Sequence, residues 1–240
     1  MNNKMKSYGD LLMEYYNGNK QVIQKIKRDD GKSIEVPVSF YFRSENDLLL
    51  TEKDFIKYVK GDILCIGGGT GIHSLILQEN HYSVDTIDIS EKACLIMRKR
   101  GVRNVKCVDI FDYEKKKYDT ILLLGRNIGL VGKLKGLDDF LKHLKKLLNP
   151  KGCIILNSYD LTKSKDLKDI EYIKSNKQSK DYYGEVRYRN ICEGNSGDYF
   201  NWLYLDPDTL KNKSKEHDFY CEIKKKCDDG NYMAILELKT

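Results

Sequence analysis

The stretch ILCIGGGTGIHS, Ile63 to Ser74, decides how this chain folds. Four apolar residues run into Gly67-Gly68-Gly69-Thr70-Gly71, and an apolar pattern of helical spacing follows at Ile72, Leu75 and Leu77. An apolar run of that length bounded by glycine reads as a buried strand, so the stretch predicts strand Asp62–Ile66, a glycine turn, and helix Thr70–Gln78. Such a turn brings main chain close to a ligand, because glycine adopts positive φ freely and carries no Cβ.

Working downstream, the alternation continues. Ser83–Asp88 reads as a strand, and Ser90 as the N-cap of a helix whose apolar face is Ala93, Cys94, Ile96 and Met97. Asn104–Val108 is a third strand. Asp119–Leu124 (DTILLL) is apolar almost throughout, as the centre of a parallel sheet requires. Leu137, Phe140, Leu141, Leu144, Leu147 and Leu148 mark an amphipathic helix, stopped by Asn149-Pro150-Lys151-Gly152 before strand Cys153–Asn157. Strands alternating with helices in this way predict an α/β fold with a doubly wound sheet.

The flanks are less regular. Residues 1–60 read as an N-terminal extension, a lid packing on the core. It holds a short helix at Asp10–Tyr16, an extended aromatic stretch at Ile34–Arg43 and a helix at Lys53–Val59. Residues 61–240 form the main domain, and no boundary is strong enough to divide the chain. Leu161–Lys180 is weakly periodic and reads as a mobile segment or broken helix. Residues 183–205 read as an inserted β-hairpin, Tyr183–Cys192 and Tyr199–Leu205, turning at Glu193-Gly194-Asn195-Ser196-Gly197. Asp206-Pro207 starts a helix, and Phe219–Lys226 with Tyr232–Leu238 closes the chain as a hairpin around Asp228-Asp229-Gly230.

Composition narrows the classes. The 240 residues are 40% hydrophobic with three prolines, which allows a sizeable core and argues against global disorder. Apolar runs long enough to span a bilayer are absent, as is an apolar signal core at the N-terminus, so a cytoplasmic protein with no membrane partner is expected. The net charge of +6 comes mainly from Lys, with only eight Arg among 42 basic residues. Base- and phosphate-reading proteins favour arginine forks, so the charge argues against a nucleic-acid partner. Seven cysteines include no CxxC pair, so neither a disulfide framework nor a metal site is expected.

The glycine turn excludes two ligand classes. A dinucleotide fingerprint needs G-x-G-x-x-G, but its third glycine falls on Ile72. A phosphate-binding P-loop needs Gly-Lys-Ser/Thr, which does not follow. G-x-G-x-G remains, suited to a ligand whose amino-acid end rests on the turn. Asp88 ends the next strand 21 residues after Gly67, where a carboxylate accepts both ribose hydroxyls; a helix-start acid favoured by the dipole is the plainer alternative. Asp109, in Val108-Asp109-Ile110-Phe111, is placed to accept from an adenine amino group or to cap a turn.

Together ILCIGGGTG, TIDIS, CVDIFD, YDTILLLGRNIGLVG and LLNPKGCIILN, spanning Gly61 to Asn157, resemble the class I S-adenosylmethionine-dependent methyltransferases. More narrowly, GTGIHSLILQ, IGLVG and YYGEVRYR…WLYLDPDTL resemble a bacterial subgroup of small methyltransferases. The resemblance implies a mostly parallel seven-stranded Rossmann-like sheet, order 3-2-1-4-5-7-6, with an antiparallel last strand. It implies S-adenosylmethionine as cofactor and S-adenosylhomocysteine as product. Cofactor contacts would then fall on Gly67, Gly68, Gly69, Gly71, His73, Asp88, Ile89, Asp109, Ile110 and Gly125. Two departures stand out. Cys65 occupies the place of the family's usual Asp or Glu, and Gly68 that of Ala or Cys.

Methyl transfer is an in-line displacement with a neutral leaving group, so no catalytic triad is demanded. Candidates on the reacting side are Arg126, Asn127 and Asp160, which follow the fourth and fifth strands. Acceptor-contact candidates are Tyr16, Tyr41, Arg43, Tyr159, Arg187, Trp202 and Tyr204. The expectation is a methyltransferase for a small molecule or short peptide, acting as monomer or homodimer. A catalytically silent cofactor-binding scaffold and an RNA methyltransferase are the alternatives.

Overall fold

The computed structural model describes residues 6–114, 116–192 and 195–239; Glu193 and Gly194 of the expected hairpin turn lie outside them. In chain order the helices are α1 Lys6–Tyr16, α2 Ile72–Glu79, α3 Glu91–Lys99, α4 Leu137–Lys146, α5 Leu167–Gln178 and α6 Pro207–Glu216. The strands are β1 Ile23–Arg28, β2 Ser33–Pro37, β3 Ile63–Ile66, β4 Val84–Asp88, β5 Asn104–Cys107 and β6 Tyr118–Leu123, then β7 Leu148–Tyr159, β8 Glu185–Cys192, β9 Asn195–Ser196, β10 Phe200–Leu203, β11 Phe219–Lys226 and β12 Asn231–Leu238. None of the described helices is long and apolar enough to cross a membrane.

Seven strands form one sheet in the order β11-β12-β7-β6-β3-β4-β5. Counted within the sheet alone and read from β5, this is 3-2-1-4-5-7-6. β4 and β5 are parallel, as are β6 and β7, while β12 runs antiparallel to both β7 and β11. A second sheet has the order β10-β8-β1-β2, with β9 beside β8.

The chain divides into two compact units. One holds Met1–Leu48, Leu64–Tyr113 and Arg187–Phe200; the other holds Leu49–Ile63, Glu114–Val186 and Asn201–Thr240. In the first unit, α1 packs on α3 through Leu12, Ala93 and Ile96, all fully buried. Gly9 permits this approach: a Cβ there would stand 2.7 Å from the Ser90 hydroxyl oxygen. Ser90 also caps α3, its hydroxyl accepting from the Ala93 N–H at 3.3 Å. In the second unit, α4 buries Leu137, Phe140, Leu141 and Leu144, each contributing about 1.5–3 kcal/mol relative to exposure. Asp206 caps α6, accepting from the N–H groups of Asp208 and Thr209 at 2.9 and 3.0 Å, with Pro207 in the first turn.

Three flanking expectations change. The extended stretch at Ile34–Arg43 is a strand only to Pro37, and Val38–Phe42 coils into a 3-10 turn, because proline offers no N–H to continue a ladder. The helix expected at Lys53–Val59 is a single 3-10 turn, Phe55–Tyr58. Residues Leu167–Gln178 form a continuous helix, started by the Asp166 carboxylate accepting from Lys168 N–H at 2.8 Å. The expected inserted hairpin is present as β8 and β10, and the second sheet adds β1 and β2 to it. Its β8 pairs antiparallel with β1, Lys27 opposite Arg189 and Lys25 opposite Ile191.

Candidate active site

Within the first unit, the chain leaves β3 through Gly67, Gly69 and Gly71, with φ of 69°, 57° and 89°. These values suit glycine far better than an L side chain. The N–H groups of Gly67 and Gly68 donate to Ile87 O at 2.9 and 3.1 Å, stapling the turn to β4. The glycines serve different ends. A Cβ on Gly68 would strike Thr86 Cγ2 at 2.4 Å and Met97 Sδ at 2.8 Å, and one on Gly71 would meet Val102 Cγ2 at 2.6 Å. Those two are glycine for packing. A Cβ on Gly69 meets only the Tyr8 hydroxyl, at 3.5 Å, so this glycine alone of the three faces room for a ligand.

Asp88 closes that room. Its Oδ2 accepts from Gly69 N–H and its Oδ1 from Ser90 N–H, both at 2.8 Å. An ionised carboxylate offers about four acceptor sites, so capacity for a hydroxyl donor remains. Asp88 is buried, and burial lifts its carboxyl above the ordinary range against the pull of the Ser90, Gly69 and Ile89 N–H groups. The helix-start reading and the ribose reading are thus compatible in one side chain. Asp109 accepts from Phe111 N–H at 3.0 Å and caps the turn Ile110–Asp112; Ile110 is buried, while Ile89 is exposed at the end of β4. His73 is the second residue of α2 and half-buried.

The N-terminal segment supplies residues that sequence reading missed. Tyr8 lies edge-on to Tyr41 with ring centroids 5.2 Å apart. Burial, then Tyr41 and Asp88, raise the Tyr8 hydroxyl far above its ordinary pKa, so it stays a neutral donor. The Thr70 hydroxyl donates to Tyr41 O, and Arg100 donates to Thr70 O at 2.6 Å and to Thr70 Oγ1 at 2.9 Å. Tyr41 itself donates to Gln24 Oε1 at 2.5 Å. Arg43 lies over the Phe40 ring at 3.8 Å, and Tyr16 under the Lys99 ammonium at 5.7 Å. The structure therefore brings Tyr8 and Tyr41 to the glycine turn.

Cys65 sits in β3 as a core thiol, 3% exposed, its pKa pushed up to about 11 by burial. It is neutral at every physiological pH and occupies strand volume as an apolar residue would.

In the second unit, the residues after β6 and β7 converge. Gly125 and Arg126 are both left-handed, with φ of 75° and 61°. Arg126 N–H donates to Asn157 Oδ1 at 2.7 Å. The amide of Asn157, 1% exposed, also lies 3.5 Å from Oε1 of the fully buried Glu52. Arg126 Nε and Nη2 donate to Asn231 Oδ1 at 3.1 and 2.7 Å, and the guanidinium stands 5.3 Å over the Tyr159 ring. Tyr204 braces Tyr159 edge-on, centroids 5.6 Å apart. Asn127 is half-buried at the start of the next 3-10 turn. Trp202 packs on Gly129, where a Cβ would come 2.2 Å from the indole, which explains the glycine in IGLVG.

Two candidates have local partners. Asp160 is 7% exposed, and its Oδ1 accepts from Thr162 N–H and hydroxyl at 3.1 and 2.6 Å, as a turn cap. Arg187 is exposed and stands 4.8 Å over Tyr199, in the first unit. The His217 side chain is only 12% exposed, with Nε2 2.8 Å from Asp138 Oδ1. Asp138, Glu216 and His217 are close enough to hold a metal ion. Lys213 already lies 3.1 Å from the Asp138 carboxylate and 2.9 Å from that of Glu216.

Comparison with known proteins follows the same line. The family described as "Methyltransferase domain" matches residues 42–210. A solved S-adenosylmethionine-dependent methyltransferase from Bacteroides fragilis, in complex with S-adenosyl-L-homocysteine, is 30% identical. It matches over 100% of this chain and 97% of its own, with a TM-score of 0.86. One from Methanosarcina mazei is 19% identical over 80% of this chain and 99% of its own, TM-score 0.63. The sugar N-methyltransferase KedS8 from Streptoalloteichus shares the fold at 11% identity, over 88% of this chain and 96% of its own, TM-score 0.56. Among curated proteins no match is found. The glycine turn tied to a strand-end acid, the order of the seven-stranded sheet and these likenesses agree: the chain belongs to the S-adenosylmethionine-dependent class I methyltransferases.

Proposed function

We propose that the protein binds S-adenosylmethionine at the glycine turn and transfers its methyl group to a nucleophile on a small molecule or short peptide. The observation that carries this is the pairing of Gly69, the loop glycine with room above it, and Asp88, whose carboxylate accepts from the Gly69 N–H. Gly67, Gly69 and Gly71 would support the methionine end and Asp88 the ribose hydroxyls. Asp109, Ile89 and Ile110 would contact the adenine, and Tyr8 and Tyr41 would cover the turn. When bound, S-adenosylmethionine supplies an electrophilic methyl group on a sulfonium.

The chain's own task is to align and desolvate the acceptor. The neutral thiol of Cys65 plays no part, since its proton stays on until about pH 11.

Calorimetric titration with S-adenosylhomocysteine, with NAD as control, tests the reading. Binding of the first and not the second is expected. Absence of S-adenosylhomocysteine binding at millimolar concentration would overturn it.

A further inference from the structure

We infer that the second unit binds a carboxylate-bearing ligand, which Arg126 clamps above the Tyr159 ring.

Arg126 follows Leu124 and Gly125 past the carboxyl end of β6, an inner strand of the sheet, where doubly wound sheets bind their ligands. Its backbone is held by the Asn157 amide oxygen at 2.7 Å. Its side chain is held as firmly. Asp229 takes the N–H and the side-chain NH₂ of Asn231, both at 2.9 Å, which turns the Asn231 amide oxygen toward the guanidinium. That oxygen accepts two of the five arginine donors, and Tyr159 floors the group.

Charge distinguishes this cation from its neighbours. Other part-buried cations of the same unit have carboxylate partners: Lys133 has Glu185 at 3.4 Å, and Lys213 has Asp138 at 3.1 Å. The hydrogen bonds of Arg126 go to a neutral amide and its guanidinium lies over an aromatic face; the nearby Asp229 carboxylate, whose pKa it helps to lower, stands beyond ion-pair distance. A guanidinium fixed in one orientation, with donors to spare, is the arrangement that takes a planar anion through two parallel hydrogen bonds. A carboxylate fits better than a phosphate dianion. It carries a single charge, and Asp229 behind Asn231 opposes a second.

The test uses benzoate as a carboxylate probe and benzamide as its neutral counterpart. Each is titrated calorimetrically into S-adenosylhomocysteine-loaded protein at constant ionic strength. Benzoate should bind at least about tenfold more tightly than benzamide, the scale of a charge-assisted pair. Arg126→Gly should abolish that preference while retaining its melting temperature and its affinity for S-adenosylhomocysteine, because glycine suits a φ of 61°. Arg126→Lys, which keeps the charge and loses the fork, should fall between. Equal binding of the two probes, binding of neither, or a preference that survives Arg126→Gly would each overturn the inference. If S-adenosylhomocysteine itself fails to bind, the methyltransferase reading falls, and the same comparison on the protein alone still decides the clamp.

Discussion

The main-chain N–H of Gly69 donates to Oδ2 of Asp88 at 2.8 Å, tying the glycine turn to the acid that ends the neighbouring strand. Loop shape and ribose acid are therefore one unit. Asp88→Ala should weaken S-adenosylhomocysteine binding by about 1–3 kcal/mol, the loss expected for hydrogen bonds to a charged group. Calorimetry reads this directly, and an unchanged affinity would reduce Asp88 to a helix-start residue.

The same carboxyl sets a pH dependence. Ribose hydroxyls donate to the ionised form, so cofactor binding favours ionisation, whereas burial holds the pKa above its ordinary 3.8. Affinity should therefore fall as the pH drops through that raised value, beginning above the range where exposed carboxylates titrate, and binding there should release a proton. Titrations in buffers of different ionisation enthalpy measure the proton. Affinity flat down to pH 4 would contradict the assignment.

Adjacent glycines should separate stability from binding. Gly68→Ala drives a Cβ into Thr86 and Met97 and should cost about 1–3 kcal/mol of stability by overpacking. Gly69→Ala meets open room at a φ of 57°, so it should cost about 1–2 kcal/mol in backbone strain and, in addition, weaken cofactor binding by filling the approach. Thermal unfolding with and without S-adenosylhomocysteine distinguishes the two; equal ligand-induced shifts would contradict the assignment.

Thiol chemistry should divide the cysteines. Cys107 is exposed, while Cys65 is buried with its pKa near 11. Iodoacetamide at pH 8 should alkylate Cys107 and leave Cys65 intact, as peptide mass spectrometry would show. Cys65→Ala should leave S-adenosylhomocysteine affinity within about twofold, since a neutral core thiol has no charge to offer the cofactor.

Between α4 and α6, the His217 ring nitrogen and Lys213 hold the Asp138 carboxyl below its ordinary 3.8. A depressed carboxyl stabilises the folded state above its ordinary pKa, and that contribution is lost as the pH falls through the depressed value. Asp138→Asn should cost about 0.3–1 kcal/mol at neutral pH, the range for a part-exposed pair. The difference from wild type should begin to shrink as the pH falls below 3.8 and disappear only below the depressed value. Urea unfolding from pH 7 down to pH 3 checks both; a difference that does not shrink over that range would contradict the ion-pair origin.

The sequence by itself determined the strand–turn–helix at Ile63–Glu79, the acid at Asp88, the caps at Ser90 and Asp206 and the apolar strand at Tyr118–Leu123. Each is a local signal, written in periodicity, glycine or a capping side chain within one or two turns of chain. Tertiary structure alone decided the rest. Tyr8 reaches the turn only because Gly9 lets α1 close onto Ser90. β1, a Lys-rich alternating stretch passed over in the sequence, becomes a strand by pairing with β8, some 160 residues later. Arg126 acquires its orientation from Asn231, 105 positions away, and its fixed backbone from Asn157. Such partners leave no mark in local pattern, because a hydrogen bond between distant segments exists only once the sheet has brought their ends together.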